Sequence, residues 1–261
     1  MNRRYFLLNA CFWSLCFILS AQESNASVRP SLWEFSSRVG MHVGASTPVP
    51  VPKAMEHVYA WYPRLNPMVQ LSASRRLLAG SPWAVNVGIA VEKKGMEATT
   101  RVKDMKVAIV SDSPYAGNPD EEYPGLFTGD NNTEIRLGYL TIPVQTEYNM
   151  LKDRLKLRGG LYTSLLLESS FRVIIDGTMV YDDPKLGTAQ MDLRELNFSD
   201  KIKGADFGVI IGADYYFARQ IGAFADVTFG LIPLTGTHFK AIPYRMYNVF
   251  ARIGFSYRLN Y

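Results

Sequence analysis

The chain has 261 residues, 48% of them hydrophobic, 13% aromatic and 20% charged, with a formal net charge of +4. That balance excludes a disordered chain and a helical membrane protein, and so mild and evenly spread a charge excludes a nucleic-acid binder. No GxxxxGK[ST], HExxH or CxxC occurs, nor any repeat of fixed period.

The first element is a targeting signal. MNRRYFLLNACFWSLCFILSAQES sets Arg3 and Arg4 before an apolar run from Tyr5 to Leu19, then small residues at Ser20 and Ala21. This is the layout of a secretory signal peptide, and the run is short for a helix that must span roughly 20 residues of hydrocarbon. Cleavage after Ala21 is expected, with Ala26 as the fallback. Cys11 and Cys16 leave with the leader, so the mature chain has no thiol chemistry, and loss of Arg3 and Arg4 takes the net charge from +4 to +2. Residues 22–31 read as a linker and 32–261 as one domain.

Beyond the leader, alternation at period two recurs, the mark of strands. WEFSSRVGMHVGAS sets Phe35, Val39, Met41 and Val43 against Arg38, Gly40, His42 and Gly44. PMVQLSASRR is a weaker second case. WAVNVGIAVEKKG sets Val85, Val87, Ile89 and Val91 against Asn86, Gly88 and Glu92. YLTIPVQTEYNM and KLRGGLYTSLLLESS follow, with Glu147, Arg158, Gly160 and Glu168 on their polar faces. DFGVIIGADYYF sets Val209 and Ile211 against Asp206, Gly208, Gly212 and Asp214, and IGAFADVTFGLIP sets Val227 and Phe229 against Gly222, Asp226 and Gly230. FARIGFSYRLNY closes the chain with Arg252, Gly254 and Arg258 on the polar side. Eight strands are predicted. AGSP, LKDR and ARQ make tight joints, whereas the other joints are long, the largest being a loop at about 95–138.

Tight turns at one end and long loops at the other suit an up-and-down barrel. Alternation alone fits a soluble lipocalin-like carrier, apolar inside, as well as a membrane barrel, apolar outside. Three features favour lipid on the apolar face. Trp33, Trp83, Tyr148, Tyr215, Phe217, Tyr257 and Tyr261 gather on that face at the tight-turn end, as a headgroup-level girdle would. Glycines 40, 44, 88, 160, 208, 212, 222, 230 and 254 lie on the polar face, where a narrow barrel is crowded. The export signal is the third. The expected fold is therefore all-β: an eight-stranded antiparallel transmembrane barrel with short periplasmic turns.

Interior charges (Arg38, His42, Glu92, Glu147, Arg158, Glu168, Asp206, Asp214, Asp226, Arg252 and Arg258) read as a paired plug, since eight strands enclose room only for side chains. The rival is a proton or ion path, or a hydrolase site near one mouth. His42, His57 and His238 are the three histidines that could serve such a hydrolase. His42 reads as a satisfied interior side chain, and three scattered histidines without cysteine make a zinc site a poor fit. Asp120, Glu121, Glu122 and Asp130 offer oxygen ligands, but their spacing is no calcium loop. No catalytic, cofactor-binding or metal residue is assigned, and no cofactor is expected.

In order, VEKKG (91–95), YLTIPVQTEY (139–148), LRGGLYTSLLL (157–167), DFGVIIGADYYF (206–217), FADVTFGLIPL (224–234) and the terminal RIGFSYRLNY resemble the outer-membrane β-barrel domain of the PorT-like family of Bacteroidetes-type outer membranes. The resemblance implies residence in the outer membrane and contact with its lipid. It also implies passage through the barrel-assembly machinery, for which the terminal aromatic looks like the signal. The founding member is similar to an accessory factor of a protein-secretion pathway, so envelope or secretion-system proteins are possible partners; nucleic acid is not. The segment 95–138 is longer than the family typically shows, and a function there would be private to this chain. The expectation is a structural or interaction-type protein, not an enzyme. A lipid-modifying hydrolase or a soluble carrier is the alternative.

Overall fold

The computed structural model describes residues 32–259 other than 51, 111–115, 117–121, 237–238, 240 and 243. The expected leader, the 22–31 linker and Tyr261 lie outside the described residues. Ten strands follow one another: β1 (Trp33–Pro48), β2 (Met55–Pro63), β3 (Asn66–Arg76), β4 (Trp83–Val110), β5 (Glu122–Met150), β6 (Leu155–Tyr181), β7 (Thr188–Asn197), β8 (Ala205–Tyr216), β9 (Ile221–Gly230) and β10 (Met246–Arg258). Eight of them close a ring in the order β1-β3-β4-β5-β6-β8-β9-β10, every pairing antiparallel. The first and last strands meet along their length, from Ser36 opposite Arg258 to Pro48 opposite Met246. Closure leaves no ring edge, so backbone N–H and C=O groups find partners without water, as hydrocarbon requires.

The side-chain pattern identifies the solvent on each face. Outward residues of the ring are apolar and exposed: Phe35, Val39, Val69, Leu71, Val85, Val87, Ile89, Val91, Ile142, Val144, Leu157, Leu161, Ile211, Val227, Ile253 and Phe255. Inward residues are buried and mostly polar. A soluble carrier would require the reverse, so that alternative is overturned. On β4 the outward apolar run extends from Trp83 to Val91 and stops at Lys93. At ~3.3 Å per residue and a tilt of about 45°, that run covers most of the ~25 Å apolar band of this membrane class.

The long joints depart from expectation. The segment 95–138, expected as a loop, is mostly strand: β4 and β5 run on as a hairpin, paired from Lys93–Gly138 to Val110–Glu122. β6 extends with them, β2 pairs the outer part of β4, and β7 pairs the outer part of β6. The outcome is a five-stranded sheet, β2-β4-β5-β6-β7, standing above the ring. Here the faces invert. Water replaces lipid outside, so Glu97, Glu134, Arg136 and Arg172 point outward, and Met96, Val102, Met105, Phe127, Ile135, Phe171, Val173, Ile175 and Met179 are buried. Segments after β7 and between β9 and β10 cover this core. Phe198 packs on Phe171 at 5.5 Å and on Phe239 at 5.0 Å, and Lys203 N–H donates to the Leu234 carbonyl at 2.9 Å. The apolar core of the molecule therefore lies outside the membrane.

Candidate functional site

Within the ring, strand register builds one continuous structure from the inward charges. From the tight-turn end upward, Arg258 meets Glu34 at 3.5 Å, Glu34 meets Lys156 at 2.6 Å, and Lys156 meets Glu147 at 2.9 Å. Glu147 meets Arg158 at 3.1 Å and Arg158 meets Asp214 at 3.2 Å. Asp214 pairs closely with Arg38, which reaches Asp226 at 3.4 Å. Asp226 holds Arg252 at 2.6 Å, Arg252 reaches Glu92 at 3.6 Å, and Lys94 bridges Glu92 at 3.2 Å and Asp206 at 3.6 Å. Cation and carboxylate alternate without a break, six of each. Buried charges are tolerated only when so compensated.

Neutral groups complete it. Thr141 donates to Glu92 at 2.8 Å, Ser74 to Glu147 at 3.1 Å, and Tyr162 and Asn248 to Asp206 at 3.1 and 2.9 Å. Lys94 and Arg158 hold their acids in ion-pair contact without an aligned hydrogen bond. Aromatic faces take up remaining cation surface: Arg38 lies over Phe224 at 5.0 Å, Arg258 over Tyr216 at 3.6 Å, and Lys94 over Tyr162 at 4.8 Å. At the top, Tyr139, Leu137, Ile135 and Met246 begin the apolar core. Charge below and hydrocarbon above fill the bore.

The glycines on this face are spacers. Gly40 and Gly254 face each other across the β1–β10 seam, and the Phe224 ring occupies the room a Cβ on either would need. Gly208 does the same for Tyr162, whose ring and hydroxyl would lie 2.7 Å from an added Cβ.

Most sequence-assigned interior residues join this network, with one correction. Glu168 is exposed and pairs with Lys93 at 3.9 Å on the outer surface. An irregularity opposite Gly138 and Tyr139 places Leu167 and Glu168 both outward, so the inward parity of β6 shifts from even (Tyr162, Ser164) to odd (Phe171, Val173). Glu34, Lys94 and Lys156 belong to the network and were missed. Each lies an even number of residues from an assigned neighbour (Arg38, Glu92 and Arg158), so period two already marked them.

The histidines are not brought together. His42 is fully buried, with Nε2 3.3 Å from Glu92 and its ring edge-on to Phe250 at 6.1 Å. His57 is exposed on β2, with Nδ1 2.8 Å from the neighbouring Glu56 carbonyl. His238, Asp120 and Glu121 lie outside the described residues. Asp130 is taken by Arg101 at 2.8 and 2.9 Å, and among the described residues no group of three His, Cys, Asp or Glu could hold a metal. Outside the membrane, the bonds to Asp130 raise the Arg101 guanidinium pKa, Lys201 lowers that of Asp200, and burial pushes the Tyr244 hydroxyl up to about 12. Tyr244 thus stays neutral within the external core at ordinary pH.

The external sheet presents the other candidate surface. β2 ends the strand order, and beyond its outer edge no strand follows among the described residues. Its side chains are exposed on both faces: Val58 58%, Tyr59 54%, Trp61 43% and Tyr62 60%.

Compared with known proteins, residues 20–236 match the family model described as the outer membrane protein beta-barrel domain. Among solved structures, the chain is similar to Ail, the attachment invasion locus protein of Yersinia pestis, crystallised with the heparin analogue sucrose octasulfate. Identity is 9%, coverage 87% of this chain and 97% of that one, and the TM-score 0.36. It is also similar to the translocator domain of the autotransporter NalP from Neisseria meningitidis, at 10% identity, 96% and 95% coverage and a TM-score of 0.21. A search among curated proteins gives no match.

Proposed function

We propose that this chain, which belongs to the outer membrane protein beta-barrel domain family, works by contact and not by catalysis or conduction. In this reading the charged ring is an anchor, and the external sheet is the working part. The observation that carries it is the β2 edge, where Val58, Tyr59, Trp61 and Tyr62 stand exposed and beyond which no strand follows among the described residues, on a sheet that has its own buried core. Such an edge accepts an extended segment of another envelope protein as an added strand, with backbone bonds giving affinity and aromatic side chains giving specificity. Segment order and the resemblance of 139–148, 206–217 and 224–234 support a PorT-like member, with a partner among envelope or secretion-system proteins.

Photo-crosslinking in intact cells tests this. A photoreactive residue in place of Tyr62 is expected to yield discrete protein adducts, while one at lipid-facing Val87 yields lipid adducts. Protein adducts at Val87 and none at Tyr62 would overturn it. His57→Ala is expected to leave the Tyr62 adducts unchanged.

A further inference from the structure

Three tight turns at one end of the ring carry a charge that the rest of the molecule lacks. They contribute Arg75 and Arg76 at the end of β3, Lys152 and Arg154 around Asp153 after β5, and Arg219 after β8. Five cations against one acid give +4, whereas the chain without its expected leader carries +2 in all, so everything else in it sums to −2. Arg75, Lys152, Arg154 and Arg219 are exposed, and Arg76 pairs with Asp153. The same turns expose Leu77 at 61%, Leu78 at 72%, Leu151 at 63% and Phe217 at 55%.

Their depth is fixed by the aromatic girdle. Arg75 stands opposite Trp33, with its guanidinium 5.5 Å from the indole centre. Trp83 packs on Tyr148 at 4.7 Å just before the Leu151–Arg154 turn, and Tyr215 and Phe217 lead directly into Arg219. At ~3.3 Å per residue the cations lie within about 10 Å of headgroup level, comparable to the ~8 Å screening length in physiological salt. Apolar tips beside cations are the signature of an interfacial surface, the tips entering the acyl boundary and the cations meeting phosphate. Positive charge, apolar tips and continuity with the lipid-facing belt select a membrane surface over a soluble ligand.

We infer that the three turns form a collar that binds anionic phospholipid headgroups in the leaflet at the tight-turn end. The test uses the full chain in vesicles of phosphatidylcholine with or without phosphatidylglycerol, and measures the lipid class retained on the protein. Phosphatidylglycerol is expected to be enriched in the bound shell, with the enrichment falling as salt rises. The variant R75Q/K152Q/R154Q/R219Q should lose it, about fivefold for each cation removed, while keeping heat-modifiable migration on gels. R101Q/R136Q/R172Q, on the external sheet, should retain it. Equal retention of both lipids by the wild type, equal loss in the external variant, or displacement by inorganic phosphate would overturn the inference. Should the quadruple variant fail to fold, Lys152→Gln and Arg219→Gln singly must each lower the enrichment.

Discussion

Glu92 shows what one buried side chain does in this barrel. It receives Lys94 and Arg252, accepts the Thr141 hydroxyl and faces His42 Nε2. Glu92→Gln keeps the shape but takes from Lys94 and Arg252, both buried, one of the two acids each of them meets. Breaking a buried pair in this way costs about 3–5 kcal/mol, so the urea midpoint of the refolded barrel in lipid should drop markedly. Adding Lys94→Gln to Glu92→Gln should cost less than the sum of the two single changes, since they remove partners of one network. Steric demand is as local. A Cβ at Gly208 would stand 2.2 Å from the Phe229 carbonyl oxygen, a backbone atom that cannot turn aside. Gly208→Val is therefore expected to abolish the heat-modifiable folded band. The face each of these residues occupies was legible in the sequence, because alternation assigns it. Their partners were not: Arg38 and Asp214 are 176 positions apart and meet only across the closed bore.

At the scale of elements, β4, β5 and β6 each serve two solvents. Below Lys93 they are apolar outside and polar inside; above it the reverse holds. β6 makes the change by placing Leu167 and Glu168 both outward, after which Phe171, Val173 and Ile175 turn in. The sequence reading followed the lower halves and stopped where the pattern weakened. β4 beyond Gly95 has charged outward residues, and its register shifts between Val102 and Met105, with Asp104 at a φ of 48°. Periodicity counted across such a shift averages to nothing, so MEATTRVKD reads as loop. The two halves should also separate in stability. Phe171→Ala removes a fully buried ring that packs on Phe198, at about 3–5 kcal/mol. The expected outcome is rapid proteolysis of the external sheet while the ring keeps its heat-modifiable migration.

For the molecule as a whole, lipid lies around the ring and the bore is filled. Trp33 and Trp83 are outward in the girdle, whereas Trp61 stands on the external sheet. Brominated lipid should quench single-tryptophan variants retaining Trp33 or Trp83 and leave one retaining Trp61 bright. In planar bilayers the chain should show no conductance steps, because the alternating charges fill the bore and the core around Ile135, Phe171 and Met246 closes it above. Two-sidedness, the eight strands of the ring and the membrane as solvent were determined by sequence alone. Residues two apart on a strand share a face, and each face must match the medium it meets. Ring closure and strand register alone decided the order of the charge chain, the turning of expected loops into a cored sheet, and the exposure of the β2 edge. Those depend on which distant strands lie side by side, and a local pattern carries no record of distance across the barrel.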